Sequence, residues 1–154
     1  RTEMIESKFG NSYDAFEVGA VIEHALSKTI FESDNNLFSL LTMNHHPVHL
    51  NAHYSEGERH GRILVVGTLV FSLAVGITVP DISGKAIANL EYGEVKHLQP
   101  VFIGDTIYAR TEVLSKRISQ TNPAAGIVHV RTTAFNQNGK DVLTFTRKVM
   151  IKKN

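Results

Sequence analysis

Cysteine is missing from all 154 residues, which removes disulfides, thiolate nucleophiles and thiolate metal ligands from the available chemistry. An excess of either charge is missing too. Sixteen basic and fifteen acidic residues leave a net +1 and a sequence pI of about 8.2. No run of five or more basic residues occurs, so no nucleic-acid surface is expected. No apolar leader opens the chain; Arg1 to Gly10 is polar, a signal peptide is not visible, and the cytoplasm is the expected compartment. Internal repeats, low-complexity tracts and a second-domain linker are also absent. What is present is 42% hydrophobic and 20% charged, enough apolar mass for the core of one globular domain. Residues 1–12 read as a polar lead-in and 13–154 as that domain.

One long uncharged run exists, the eighteen residues from Ile63 to Pro80. Its length reaches the threshold for a membrane span. Gly67, Thr68, Ser72, Gly76 and Thr78 interrupt it, no second run accompanies it, and charged strand-like sequence follows. Residues 63, 66, 67, 70, 73, 74 and 77 repeat at helical spacing while the other face is apolar too, which predicts a buried helix and no membrane span.

Beyond Pro80 the period changes. Ala86 to Leu98 reads as a strand, Ile103-Gly104-Asp105 as a turn, and Thr106 to Ser119 alternates through Ile107, Ala109 and Val113. Gly126 to Asn136 and Asp141 to Lys152 alternate again around Asn138-Gly139, a strong hairpin signal. Val21 to Ile30 is compatible with a first strand. Four late strands in sequence and one buried helix predict an α+β domain, an antiparallel sheet wrapped around a single long helix.

The stretch Thr29 to Ser55 carries the chemistry. Thr29 or Ser33 can cap a helix, Glu32 and Asp34 suit its N-terminus, and Leu37, Leu40 and Leu41 form its apolar stripe. Pro47 biases His46 away from helical angles, so Thr42 to His49 is expected to run as an irregular loop. It holds Asn44, His45, His46 and His49, with His53 just beyond. Four histidines raise a metal reading, His49 and His53 being four apart. No acidic ligand lies within the cluster and Pro47 breaks any helix carrying all four, so no metal is expected.

Thr42-Met43-Asn44-His45-His46-Pro47-Val48-His49 resembles the Ser-Gly-Asp-x-Asn-Pro-[Ile/Leu/Val]-His motif of MaoC-like dehydratases, the R-specific enoyl-CoA hydratases of the hotdog fold. Proline and terminal histidine match; asparagine stands where the motif has an acid. Tyr13 to Gly19 is similar to the family's opening. Leu64-Val65-Val66-Gly67-Thr68-Leu69 sits where the family has Ile-Ala-His-Gly-Met-Leu. Val95 to Ile107 looks like its Val-x-Phe-x-x-Pro-Val-Phe-x-Gly-Asp-Thr segment. The wording around Asn44 and His46-Pro47 is nearest to the mesaconyl-CoA hydratase-like branch.

The resemblance implies a hydro-lyase acting on the double bond of an acyl-CoA thioester, with coenzyme A present only as part of the substrate and no separate cofactor. It implies a homodimer or dimer of dimers joined through sheet edges. His49 and Asn44 occupy the positions that hold the water, with His46 and Pro47 beside the substrate. Gly67, near the helix start, is placed to offer a backbone N–H to the thioester oxygen. Imidazole suits proton transfer near neutral pH, whereas an amide can only position the water. Each residue has a plainer reading: His49 as a buried histidine bonded to a carbonyl, Asn44 as a turn residue, Gly67 as a packing glycine. Arg110, Lys116, Arg117, Arg147 and Lys148 could meet coenzyme A phosphates or simply line solvated strands. Two other functions stay open, an acyl-CoA thioesterase using Asp34 or Glu32 and a non-catalytic acyl-CoA-binding subunit.

Overall fold

A computed structural model describes residues 2–6 and 8–154; the expected lead-in includes Arg1 and Ser7, which lie outside the described residues. The chain is tied down from Gly10, whose positive φ of 87° and lack of a Cβ let it lie against the Gly84–Lys85 backbone. A single 3-10 turn, Tyr13–Ala15, then leads into two short strands, β1 (Val21–Glu23) and β2 (Lys28–Thr29). The single strand expected over 21–30 is thus split. His24 sits at the break, its Nδ1 2.7 Å from Asp81 Oδ2 and its Nε2 2.6 Å from Thr111 Oγ1.

Three helices follow, α1 (Glu32–Leu41), α2 (Pro47–Leu50) and α3 (Ala52–Glu56). The long helix, α4 (Gly67–Thr78), starts four residues later than the apolar run suggests. Residues 63–66 are needed elsewhere: Leu64 bridges to Phe102, and Val65 N–H donates to Val101 O at 2.9 Å. A wider turn, Val79–Ser83, extends α4 through Pro80. The helix is also not buried all round. Leu69, Val70, Ala74 and Ile77 face the core, while Thr68, Ser72 and Gly76 are exposed. Those small residues interrupting the run mark the outer face.

The remaining chain forms β3 (Ala86–His97), β4 (Thr106–Ile118), β5 (Ala125–Phe135) and β6 (Asp141–Lys152). The sheet is antiparallel in the order β1-β4-β5-β6-β3, with β2 also on β4. The inward positions Ile107, Ala109, Ala134, Leu143 and Phe145 pack against α4. A second cluster of Val113, Val128, Val130, Val149 and Ile151 is closed by Tyr13, Phe16 and Ile82. A sheet curled around one helix is the hotdog fold, as expected. No helix among the described residues is long and apolar enough to cross a membrane.

Candidate active site

The apolar stripe of α1 faces the wrong way for the expected amphipathic helix. Leu37, Leu40 and Leu41 are exposed, while Asn35 and Ser39 are buried. Neither Thr29 nor Ser33 caps it; Asp34 Oδ2 accepts from Phe31 N–H at 2.9 Å and from Lys28 Nζ at 2.8 Å. These two bonds, that to Lys28 first, hold the Asp34 carboxyl below its usual range.

Asn35 explains the inversion. Its Nδ2 donates to His49 O at 3.1 Å and its Oδ1 accepts from Val66 N–H at 2.9 Å, so one buried amide ties α1, α2 and the start of α4. Burying a polar group requires such partners. Residues 14 and 31 positions away supply them.

After α1 the chain reverses at Met43, which has a φ of 63°. Asn44 Oδ1 accepts from His46 N–H at 3.4 Å, a long contact within its own loop. His46 Nδ1 in turn accepts from Val48 N–H at 3.1 Å and caps α2. Pro47 takes the first helical position, where its fixed φ and missing N–H cost nothing. The expected irregular loop therefore ends at His46, and His49 lies inside a short helix.

His49 Nδ1 lies 2.6 Å from Leu64 O. A carbonyl only accepts, so Nδ1 carries a hydrogen, and in the neutral ring the lone pair is on Nε2. Leu64 N–H returns a bond to Val48 O at 3.1 Å, which locks the two segments together.

Two cavities meet at His49. One, of about 400 Å³, is also lined by Glu32, Asn35, Asn36 and Ile103. The other, of about 280 Å³, is lined by His49, Gly67, His97, Gln99 and Val142 among others. We place the chemistry in the second, although it is smaller, because it joins the imidazole to the N-terminus of the long central helix. Gly67 is the first residue of α4, so its N–H has no acceptor within the helix and carries part of the positive dipole end.

Of the residues singled out in the sequence, His49 and Gly67 share a cavity, whereas Asn44, His46 and Pro47 line neither of these two. His45 and His53 are exposed, and no group of three or more histidine and acidic residues among the described residues is set to hold a metal ion. Arg147 is withdrawn from any phosphate role. It is buried, donating to Asn89 Oδ1 at 2.8 Å and Thr78 Oγ1 at 3.0 Å, and burial lowers its pKa. Sequence reasoning missed Asn35 and His97. A polar residue where a helix ought to bury leucine is a signal for the first only once the buried face is known.

The family model described as MaoC like domain matches residues 14–135. The chain is 34% identical over 149 residues to a mesaconyl-CoA hydratase of Cereibacter sphaeroides, covering 97% of this chain and 43% of that protein, so it spans under half that relative's length. It is 28% identical to an (R)-specific enoyl-CoA hydratase of Aeromonas caviae, covering 92% of this chain and 98% of that protein. A crystal structure of a putative MaoC domain protein dehydratase from Chloroflexus aurantiacus superposes with a TM-score of 0.92 at 31% identity, over 98% of this chain and 43% of the other.

Proposed function

This chain belongs to the MaoC-like domain family, and on that premise we propose that it is a hydro-lyase adding water across, or removing it from, the double bond of an enoyl-CoA thioester. The observation that carries the reading is the bond from His49 Nδ1 to Leu64 O, which leaves Nε2 as the available nitrogen of a ring lining the same cavity as Gly67. The names of the relatives support a thioester of coenzyme A.

Hydration needs a base for water, a proton for the α-carbon, and a partner for the enolate oxygen. His49 Nε2 takes a proton from water as the hydroxyl bonds to the β-carbon, and the double-bond electrons move onto the thioester oxygen. The Gly67 N–H holds that oxygen. The imidazolium then returns its proton to the α-carbon, so one residue performs both transfers. No electron is gained or lost, and no group beyond the substrate's coenzyme A is called for. Asn44, with no acid to offer and no place in the lining of either cavity, serves the loop through His46 N–H.

Crotonyl-CoA and mesaconyl-CoA, followed by enoyl absorbance and by free thiol, test this. A hydratase loses absorbance without releasing thiol, and His49→Ala lowers turnover by about 10²–10⁴, while His53→Ala leaves it nearly unchanged. Thiol release favours a second reading, thioester hydrolysis, for which Glu32 beside His49 is the available carboxylate. Neither signal identifies a binding subunit. The proposal extends to assembly as a homodimer or dimer of dimers. Among the described residues the outer edge of β3 is unpaired, with Ile87, Leu90 and Val95 exposed along it, and such an edge is a pairing template. Sedimentation at micromolar concentration then gives at least twice the 17.1 kDa chain mass; a fully active monomer refutes it.

A further inference from the structure

We infer that His97 is a second catalytic residue of this cavity, its ring N–H donating to the thioester oxygen together with the Gly67 amide. The inference rests on the hydration site proposed above, but not on turnover itself. His97 is the last residue of β3 and is exposed, and its ring lies directly over Gly67. A Cβ built on Gly67 would stand 2.8 Å from His97 Cε1, 3.2 Å from Nε2 and 3.4 Å from Nδ1. Such a Cβ lies about 2.5 Å from its own amide nitrogen by standard backbone geometry. Gly67 N and His97 Nε2 are therefore at most about 5.7 Å apart, and Nδ1 little farther. One oxygen can sit about 2.9 Å from both, the separation that a pair of oxyanion donors needs.

A neutral imidazole already carries one N–H, so the role requires no proton transfer from His97. The partition of labour follows. His49, fixed by Leu64 O, handles the proton, while His97 and the N-terminus of α4 handle developing negative charge. Gly67 suits this arrangement on two counts: its amide is the other donor, and without a Cβ it leaves room for the imidazole, whose Cε1 would lie 2.8 Å from one. The segment resembling the family wording has His97 where that wording has phenylalanine.

The test uses His97→Phe and His97→Gln in the whole chain, with crotonyl-CoA as substrate and acetoacetyl-CoA as a non-reacting probe whose enolate has its own ultraviolet band. His97→Phe lowers kcat by about 10²–10³, the loss typical of one oxyanion donor, with KM within a few-fold, and weakens the enolate band of the bound probe. His97→Gln, which keeps an N–H donor, recovers part of both, and the pH profile keeps its shape. Unchanged kcat and enolate band in His97→Phe overturn the inference. So does a lost alkaline ionisation with the enolate band intact, which makes His97 an acid instead. A wild type that hydrates nothing yet shows an enolate band dependent on His97 upholds this inference and refutes the hydratase. A wild type with neither activity nor band refutes both.

Discussion

Asn35→Ala is the substitution through which the architecture of the site is most directly measured. The side chain is 1% exposed and makes two hydrogen bonds, one in each direction. Val66 is 2% exposed, so its N–H is left without a partner that water can replace; an orphaned buried donor costs about 1–3 kcal/mol. His49 is only half-buried, so water can reach its carbonyl, and the loss there is the net value of one hydrogen bond, about 0.5–1.5 kcal/mol. The total is about 2–4 kcal/mol, a large share of the 5–15 kcal/mol that holds a typical domain together, but short of unfolding it. In urea, at a mid-range slope of about 2 kcal/mol/M, the midpoint falls by roughly 1–2 M with the slope unchanged. Hydration of crotonyl-CoA, assayed where the variant is fully folded, falls further than stability alone explains, because α1 no longer braces α2 against the start of α4 and the bonds of Leu64 with Val48 and His49 are left to hold the two segments. A midpoint shift under about 0.2 M with full activity would refute the reasoning, since a loss that small means Asn35 ties nothing together.

Gly67→Ala separates packing from chemistry. The exposed His97 ring swings aside, and alanine's better helix propensity keeps stability within about 1 kcal/mol of wild type, yet the rate falls at least about tenfold because the oxygen site is filled; a thermal melt beside the crotonyl-CoA assay checks both, and an active variant argues against the cavity. Asp34 governs an acid-sensitive contribution. Its carboxyl is held below the usual range, so the stabilisation is present above the unfolded value of about 3.9 and is lost as pH falls through the lower folded value. Asp34→Asn therefore lowers stability at pH 7 by about 0.5–1 kcal/mol, as loss of a helix-capping contact does, and flattens the decline below pH 4; parallel pH curves for the two proteins would sink this account.

The residues from Asp141 to Lys152 show how much of the fold is local. Alternation through Leu143, Phe145, Val149 and Ile151, after Asn138-Gly139, specifies a strand, its inner face and its hairpin partner within a few residues of chain. The α4 core is legible in part for the same reason: Val70, Ala74 and Ile77 belong to the helical repeat and are buried, whereas buried Leu69 lies outside it. His49 stood out through a short motif. The sense of α1 did not, because Leu37, Leu40 and Leu41 lie outward only once Asn35 has found His49 and Val66. Nor did the helical setting of His49, which depends on His46 capping α2 and on Leu64, 15 residues away, accepting from its ring. His97 meets Gly67 across 30 positions of chain through the fold of β3 against β6. Strands, turns and apolar faces follow from interactions within a few residues. A buried amide and a ring over a helix terminus are settled by partners that become neighbours only when the sheet closes around α4, and distance along the chain carries no record of that closure.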